Sequence, residues 1–290
     1  MAKVMITGAS GFLAQHIIPE FMGKGDELIG VDTRPLGFYH PHKFILDDVR
    51  NLKYRDMMGI DYVVHLAWRT NIPDCSRHPE ESTNDNIDMT VHLLELCKEA
   101  GVKKVFFPST ASLYGDNPTP WVEYMKADPI EHYSWQKLAC EHLCEMYARH
   151  LGLQTVMARF FQVFGEHQRD DTALAKFIKA KQDGRPITLT ETTAQSSFKS
   201  GQRDFIYAGD LAAAVYLLVH DQWAINGSIY NVASGECHTM EEVADAIGAE
   251  VTWIPKREWE VERHHGDISK LQAIGWKPKV DVLDWLKNHA

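Results

Sequence analysis

The sequence predicts an α/β protein whose core is a doubly wound, mostly parallel sheet. Short β-branched and apolar runs alternate with longer segments of helical periodicity through the first two thirds of the chain. A glycine-containing turn follows the first apolar run, and an acidic residue ends the second. Parallel strands joined by right-handed helical crossovers form such a sheet, which helices cover on both faces.

Each element of this sheet is predicted from a run of its own. The strands are predicted at Lys3–Thr7, Glu27–Asp32, Phe44–Leu46, Tyr62–Leu66, Lys104–Pro108 and Thr155–Arg159. The helices between and after them are predicted near Phe12–Gly23, Asn84–Ala100, Ser134–Leu151, Thr172–Gln182 and Asp210–His220.

The pattern changes after about Gly165. A short strand is expected near Ile187–Leu189, and the polar stretch Thr190–Gln202, which has no clear period, predicts a mobile loop. A strand at Ser228–Val232 precedes a mixed tail with helices near Met240–Ile247 and Val282–Asn288. The sequence therefore predicts a smaller mixed α/β C-terminal region beside the large sheet.

Composition excludes several classes of protein. With 290 residues, 44% of them hydrophobic and 24% charged, the chain can form a core and is not disordered. A net charge of −10 argues against nucleic acid as a partner. The longest uncharged apolar stretch, Leu211–Val219, has nine residues, whereas a membrane span needs about 20. We expect no membrane partner and no secretory leader.

The cysteines favour a reducing compartment. They number five and include no C-x-x-C pair, so neither a disulfide framework nor a zinc site is indicated. We expect buried free thiols, no bound metal and a cytoplasmic location.

The turn Thr7–Ala14 predicts a dinucleotide site. Gly8 and Gly11 allow a tight turn close to a pyrophosphate, which would lie at the positive end of the following helix. Asp32 ends the second strand, 21 residues after Gly11, where a carboxylate can accept the ribose hydroxyls and repel a 2′-phosphate. NAD is therefore favoured over NADP, although Arg34 nearby could hold a 2′-phosphate.

The spacing of Tyr133 and Lys137 suggests an acid–base pair. Four residues on a helix bring the two side chains to one face. A free tyrosine has a pKa of about 10, and a nearby ammonium together with a positive nicotinamide ring favours the phenolate that can act as a base.

With these motifs the chain resembles the extended short-chain dehydrogenase/reductase family, in its nucleotide-sugar epimerase/dehydratase branch. The motifs that carry the resemblance follow the family's order along nearly the whole chain. They are Thr7–Ala14, Asp32, Asp48-Val49, His65-Leu66-Ala67, Asn86, Pro108–Gly115, Tyr133 with Lys137, Arg159–Gly165, Arg203–Tyr207 with Asp210-Leu211, and Gly266–Lys270 with Gly275-Trp276.

The resemblance implies a Rossmann-type fold, an NAD cofactor and a nucleotide-diphosphate-sugar substrate. It implies that Thr110 orients the reacting hydroxyl, that Tyr133 is the base and that Lys137 holds the nicotinamide ribose. The implied cofactor residues are Gly8, Gly11, Phe12, Leu13, Asp32, Asp48, Val49, Leu66, Ala67, Tyr133, Lys137 and Phe160. The implied substrate residues are Asn86, Thr110, Tyr133, Gln162, Arg203 and Arg257, with Arg263 as a less favoured substitute for Arg257.

The domain organisation and assembly are expected to follow the family. Residues 1–165, completed by about 204–232, would bind NAD, and about 166–203 and 233–290 would form the substrate-binding region. The helices near Asn84–Ala100 and Ser134–Leu151 carry apolar residues on more than one face, and relatives pair through them. A homodimer is expected.

The residues after Thr110 indicate the reaction. Dehydratases of this branch place Asp-Glu directly after the active-site threonine, decarboxylases a Glu two residues on, and the 3,5-epimerase/reductases a Cys. Ala111 and Ser112 stand there instead. The resemblance therefore favours an NAD-dependent nucleotide-sugar epimerase, acting at C4 through a 4-keto intermediate. Two alternatives stay open: an NAD(P)-dependent reductase or dehydrogenase of a 4-keto nucleotide sugar or other small hydroxyl compound, and a non-catalytic dinucleotide sensor.

Overall fold

The strands alternate with helices as the sequence predicts. The computed structural model describes residues 1–193, 196–256 and 261–290. Its strands are β1 Lys3–Thr7, β2 Glu27–Asp32, β3 Lys43–Leu46, β4 Tyr62–His65, β5 Lys104–Thr110, β6 Gln154–Phe160, β7 Gln162–Phe164, β8 Ile187–Thr190, β9 Gln202–Arg203, β10 Phe205–Tyr207, β11 Ser228–Val232, β12 His238–Thr239 and β13 Val251–Ile254.

The helices begin and end close to the predicted bounds where they are long. They are α1 Ala14–Gly23, α2 Tyr54–Met57, α3 Ile72–Arg77, α4 Pro79–Thr83, α5 Met89–Ala100, α6 His132–His150, α7 Ala173–Gln182, α8 Ala208–His220, α9 Met240–Ile247, α10 Ser269–Gln272 and α11 Val282–His289. Among the described residues, no helix has both the length and the apolarity that crossing a membrane requires.

The central sheet has the strand order β11-β6-β5-β4-β1-β2-β3. The neighbouring pairs from β6 across to β3 are parallel. The order reverses between β1 and β4, and ligands of such sheets bind at the carboxyl ends of the strands beside this reversal. The predicted Rossmann-type fold is confirmed.

The described residues divide into two compact units. Unit 1 comprises Met1–Gly115, Lys126–Phe160 and Ala212–Tyr230, and unit 2 comprises Asp116–Met125, Phe161–Leu211 and Asn231–Ala290. In unit 1, a continuous apolar core forms from the sheet and its helices, and includes Met5, Val63, Leu93, Phe107 and Met157. Removing such side chains from water is the main favourable term of folding.

Unit 2 has a separate core and three short strand pairs. β7 pairs with β10 and β8 with β13, both parallel, and β9 pairs with β12 in antiparallel fashion. The core includes Phe164, Leu189, Val243 and Leu286. This is the smaller mixed α/β region that the sequence predicts.

Asp204 anchors unit 2. Its side chain is fully buried. Oδ1 accepts hydrogen bonds from the backbone N–H and the hydroxyl of Ser234, both at 2.7 Å. Oδ2 accepts from the backbone N–H groups of Gly235 and Gly266, both at 3.2 Å. A buried carboxylate is tolerated when its oxygens are satisfied in this way, and here it joins three separate segments of the unit.

The stretch Thr190–Gln202 is more ordered at its ends than the predicted loop. Thr190 ends β8 and Gln202 begins β9. Glu191 and Ser200 form an antiparallel bridge, and the Thr192 N–H donates to the carbonyl of Lys199 at 2.9 Å. The sequence did not indicate this pairing, because backbone pairing needs no side-chain periodicity; that the stretch is mobile stays a prediction. Residues 194 and 195 lie outside the described part.

We expect Asp204→Asn to destabilise the fold. An amide keeps one acceptor oxygen and turns an N–H₂ group toward N–H donors, which should lower the free energy of unfolding by about 2–3 kcal/mol. Urea unfolding followed by circular dichroism measures this. Asp245→Asn, at an exposed position of α9, is the control and should change stability little. Equal stability of the two variants would contradict the anchoring role.

Candidate active site

The turn after β1 is forced close to the end of β4. Gly8 has φ of +70°, and a Cβ at this position would lie 2.7 Å from the Ala67 nitrogen. The Gly11 N–H donates to the Gly8 carbonyl at 2.9 Å and closes the turn. Only glycine combines this conformation with this approach. Phe12 and Leu13, both partly buried, then lead into α1.

Asp32 lies against this turn. Its side chain is 7% exposed. Oδ2 accepts the Ser10 N–H at 3.0 Å, and Oδ1 accepts the Arg34 N–H at 2.9 Å. A carboxylate has about four acceptor positions, so two hydroxyl donors can still be accommodated. The Arg34 Nε lies 3.7 Å from Asp32 Oδ1, so its cation already faces the carboxylate.

The other predicted cofactor residues follow three further strands of the sheet. Asp48 follows β3, but Arg50 binds both its oxygens at 2.8–3.0 Å, and this contact keeps the pKa of Asp48 below its usual range. Val49 is buried beside it. Leu66 and Ala67 follow β4 and are partly buried. Phe160 ends β6 and stacks on Phe106, with ring centroids 6.1 Å apart.

A directional hydrogen-bond chain runs through His65. The Ala67 N–H donates to Thr7 Oγ1 at 3.1 Å, and that hydroxyl lies 2.8 Å from His65 Nδ1. On the other side His65 Nε2 lies 3.2 Å from Thr90 Oγ1, whose hydroxyl donates to the Asn86 carbonyl. Because the Thr90 hydroxyl donates to the Asn86 carbonyl, it accepts from the Nε2–H of His65, and Nδ1 then accepts the Thr7 hydroxyl proton. Burial lowers the pKa of His65 to about 3, so the ring is neutral.

The predicted catalytic residues lie together in unit 1. Thr110 ends β5, is 8% exposed, and donates its hydroxyl to Ser112 Oγ at 3.2 Å. Tyr133 and Lys137 lie one turn apart on α6. The Lys137 Nζ is 6.0 Å from the centre of the Tyr133 ring. The Lys137 ammonium also reaches β5, where it donates to the carbonyl of Pro108, two residues before Thr110. The phenol and the ammonium thus lie on a helix that contacts the strand carrying the hydroxyl.

Lys137 is almost entirely buried. Its ammonium donates to the Pro108 carbonyl at 2.7 Å. It lies 3.7 Å from the centre of a Trp68 ring and 4.7 Å from the Phe107 ring. Burial disfavours the charged form and lowers the pKa of Lys137 to about 7.

Asn86 has an internal role that the sequence did not indicate. It lies in a π-helical turn, Asn84–Asp88, and is fully buried. Its Oδ1 accepts the Arg69 N–H at 2.8 Å, and its Nδ2 donates to Gln136 Oε1 at 2.8 Å. Substrate contact by Asn86 stays a prediction that this geometry does not favour.

Two predicted substrate residues line one cavity of about 570 Å³ within unit 2. Gln162 begins β7 and is exposed, and Arg203 donates from Nη1 to the carbonyls of Gln202 and Glu262. The cavity also has Lys176, Lys179, Arg185 and Asp171 in its lining, an excess of positive charge. Such a volume suits a small organic ligand.

Arg257 and Arg263 are the two remaining arginines predicted to bind substrate. Arg257 lies outside the described residues. Arg263 is partly buried, and its Nη2 lies 3.4 Å from His265 Nδ1.

The NAD dependent epimerase/dehydratase family matches residues 4–233 of the sequence. The chain belongs to this family. Similarity to a relative extends over nearly the whole chain. A putative UDP-glucose 4-epimerase of Methanocaldococcus jannaschii is 26% identical over 310 aligned positions, which cover 99% of each chain. NAD is thus the cofactor of this protein, and the protein is an enzyme that acts on nucleotide sugars.

Solved structures of similar proteins have the same fold. A UDP-N-acetylglucosamine 4-epimerase from Methanobrevibacter ruminantium, in complex with UDP-N-acetylmuramic acid, superposes with a TM-score of 0.90 at 27% identity, covering 99% of this chain and 96% of that one. The UDP-glucose 4-epimerase of Thermus thermophilus, in complex with NAD, gives 0.86 at 29% identity, covering 99% and 97%.

We expect Asp32→Asn to weaken the preference for NAD. The amide keeps the shape but loses the charge, so the affinity for NAD should fall about tenfold while NADP loses less or gains. Calorimetric titration of both dinucleotides measures this, with Asp88→Asn, exposed on the same unit, as the control. An unchanged ratio of the NAD and NADP affinities would show that Asp32 does not bind the adenosine ribose.

Proposed function

We propose that this enzyme epimerises a nucleotide sugar at C4, with NAD as its resident hydride carrier. The observation that carries the proposal is the grouping of Thr110, Tyr133 and Lys137 in unit 1, without an acid or a thiol at the two positions after the threonine. Ala111 is buried, and Ser112 accepts a hydrogen bond from Thr110.

The residues of unit 1 fit the cofactor. The turn at Gly8 and Gly11 brings backbone toward the start of α1, where a pyrophosphate is favoured. Asp32 keeps acceptor capacity for the two ribose hydroxyls, while Arg34 is already paired with it. Lys137 would hold the nicotinamide ribose by donating from its ammonium. Bound NAD supplies one chemical capability: it accepts a hydride and returns it.

The protein's own groups then have the following roles. Tyr133 as phenolate takes the proton of the C4 hydroxyl, and Thr110 orients that oxygen with its hydroxyl. Lys137 favours the phenolate through its charge. As the proton leaves, the C4 hydride would pass to bound NAD, and it would return to the opposite face of C4 after the keto sugar has rotated. Tyr133 then returns the proton to the C4 oxygen. Substrate and product differ only in configuration, so no net oxidation occurs.

The absence of a further acid at positions 111 and 112 favours epimerisation. Eliminating water requires an acid to protonate a leaving hydroxyl and a base to remove a second proton. Ala111 has no titratable group, and the Ser112 hydroxyl is already engaged with Thr110. Oxidation and reduction at one carbon need only the three residues that are present.

The cavity of unit 2 supports a diphosphate-linked substrate. Arg203 and the three further cations of its lining outnumber the one carboxylate, Asp171. The planar set of N–H donors on an arginine guanidinium matches the geometry of phosphate oxygens. We infer that unit 2 binds the nucleotide diphosphate, with Gln162 nearer the sugar.

A homodimer through α5 and α6 is part of the same proposal. α6 exposes Trp135 and Met146, which are 51% and 41% accessible. Large exposed apolar side chains on one helix are typical of an association surface.

We expect Tyr133→Phe to abolish most turnover. Loss of a general base typically costs about a hundred- to ten-thousandfold in kcat, whereas NAD binding should remain within about threefold because the ring stays. Steady-state rates and NAD titration measure the two effects. Tyr54→Phe, half-exposed on the same unit, is the matched control. Undiminished turnover in Tyr133→Phe would contradict the mechanism.

The reaction is tested by proton NMR in D₂O with trace NAD and a panel of UDP-, GDP-, CDP- and dTDP-sugars. We expect a new C4 epimer that contains no deuterium at C4, because the hydride returns directly. Deuterium at the inverted carbon would exclude hydride return. No conversion, but stoichiometric NADH oxidation with 4-keto sugars, would support the reductase. Neither activity, with NAD still bound, would support a dinucleotide sensor.

A further inference from the structure

We propose that Trp68 is a positioning residue for the catalytic lysine: its indole face holds the Lys137 side chain in place and stabilises its protonated form. That Lys137 is catalytic rests on the proposed function. The contact itself is a feature of unit 1.

The ammonium of Lys137 has few stabilising neighbours. Its Nζ has one oxygen acceptor described, the Pro108 carbonyl at 2.7 Å. The nearest aromatic ring is that of Trp68, with its centre 3.7 Å from Nζ, and Phe107 follows at 4.7 Å. A cation within about 6 Å of an aromatic face is attracted to it, most strongly to indole, and more so where water is excluded.

Apart from the Tyr133 oxygen, whose anionic form belongs to the proposed function, few charges compete with this contact. The titratable groups that face or act on Lys137 are His65, Cys75, Tyr133, Cys140, Glu141 and Cys144. His65 is neutral, and burial raises the pKa of each of the three thiols, so these are uncharged near neutrality. The Glu141 carboxylate is paired with Arg159, which donates to both its oxygens at 2.9 and 2.8 Å. The π face is therefore a principal partner of the cation.

Trp68 is held where it lies by its neighbours. Its ring meets the Phe107 ring edge-on, with centroids 5.5 Å apart. The next residue, Arg69, donates its backbone N–H to Asn86 and its guanidinium to Asp74 at 2.6 Å and Asp85 at 3.2 Å. Pinning residue 69 through both backbone and side chain restricts the indole beside it.

The ring is positioned by its face and not by its N–H. The Trp68 Nε1 is buried and has no hydrogen-bond partner among residues 1–193, 196–256 and 261–290. A buried donor without an acceptor has a cost. Removing the N–H while keeping an aromatic face should therefore preserve the contact with Lys137.

The direct test is the pH titration of the Trp68 indole ¹H–¹⁵N resonance, assigned by its loss in Trp68→Phe. An ammonium against the ring shifts this signal, so we expect its position to change in Lys137→Met and any titration of the wild-type signal to be absent in that variant. A signal that Lys137→Met leaves unshifted, or a titration that persists in it, would overturn the proposal. This measurement needs no substrate, so it decides the inference even if no nucleotide sugar is turned over.

The second test is the pH profile of kcat. Losing the π face lowers the pKa of Lys137, so Trp68→Leu should lose activity on the alkaline side about 0.5–1 pH unit earlier than wild type. Trp68→Phe should restore most of the profile. A merely structural role would lower kcat by the same factor at every pH and would count against the proposal. Trp223→Leu, at a 70% exposed tryptophan of the same unit, is the control.

Discussion

The arrangement of unit 1 depends on the close passage of the turn after β1 beside the end of β4. A side chain at Gly8 would collide with the backbone of Leu66 and Ala67, so the two segments can approach only through glycine. The Thr7 hydroxyl then accepts the Ala67 N–H and continues to His65. One contact thereby fixes both the turn that faces a pyrophosphate and the start of the segment that carries Trp68.

Helix α6 is held on its buried face by polar interactions as well as by apolar packing. Its buried residues include Gln136, Lys137 and Glu141. Gln136 bonds to Asn86 and to hydroxyls of α4, Lys137 to the Pro108 carbonyl, and Glu141 to Arg159. Directional bonds fix rotation and register more strictly than apolar contacts, although the net stability that they add is modest.

The sequence predicted the elements with strong local signals. The five central strands, the long helices and the glycine turn were predicted close to their observed bounds, because alternating apolar runs and glycine spacing act over a few residues. The short elements β7, β9, β10, β12 and β13 were missed, since their pairing is set by distant segments. The grouping of Gln162 with Arg203 followed from the resemblance, whereas Lys176, Lys179 and Arg185 of the same cavity carried no signal beyond surface charge.

The predictions also failed to find residues whose importance is purely spatial. No sequence pattern indicated a role for Trp68, and Asp204 appeared only within the motif Arg203–Tyr207. A cation against an indole, or a carboxylate that joins three segments, depends on long-range contacts that have no period in sequence. Asn86 shows the converse: a position matched to the family has both ends of its amide occupied inside the fold.

The proposed function assigns chemistry and specificity to different units. Thr110, Tyr133 and Lys137 belong to unit 1, and the cavity that carries Gln162 and Arg203 belongs to unit 2. The similar epimerases have names that specify different sugars, yet they share this fold at 26–29% identity. Under the proposed function, hydride exchange at one carbon makes the same chemical demand whatever the sugar, so we propose that the choice of substrate is made by the cavity of unit 2. Asp204, directly after Arg203, ties the backbone at that position to Ser234, Gly235 and Gly266. Lys176, Lys179 and Arg185 lie on and just after α7 and take no part in those hydrogen bonds.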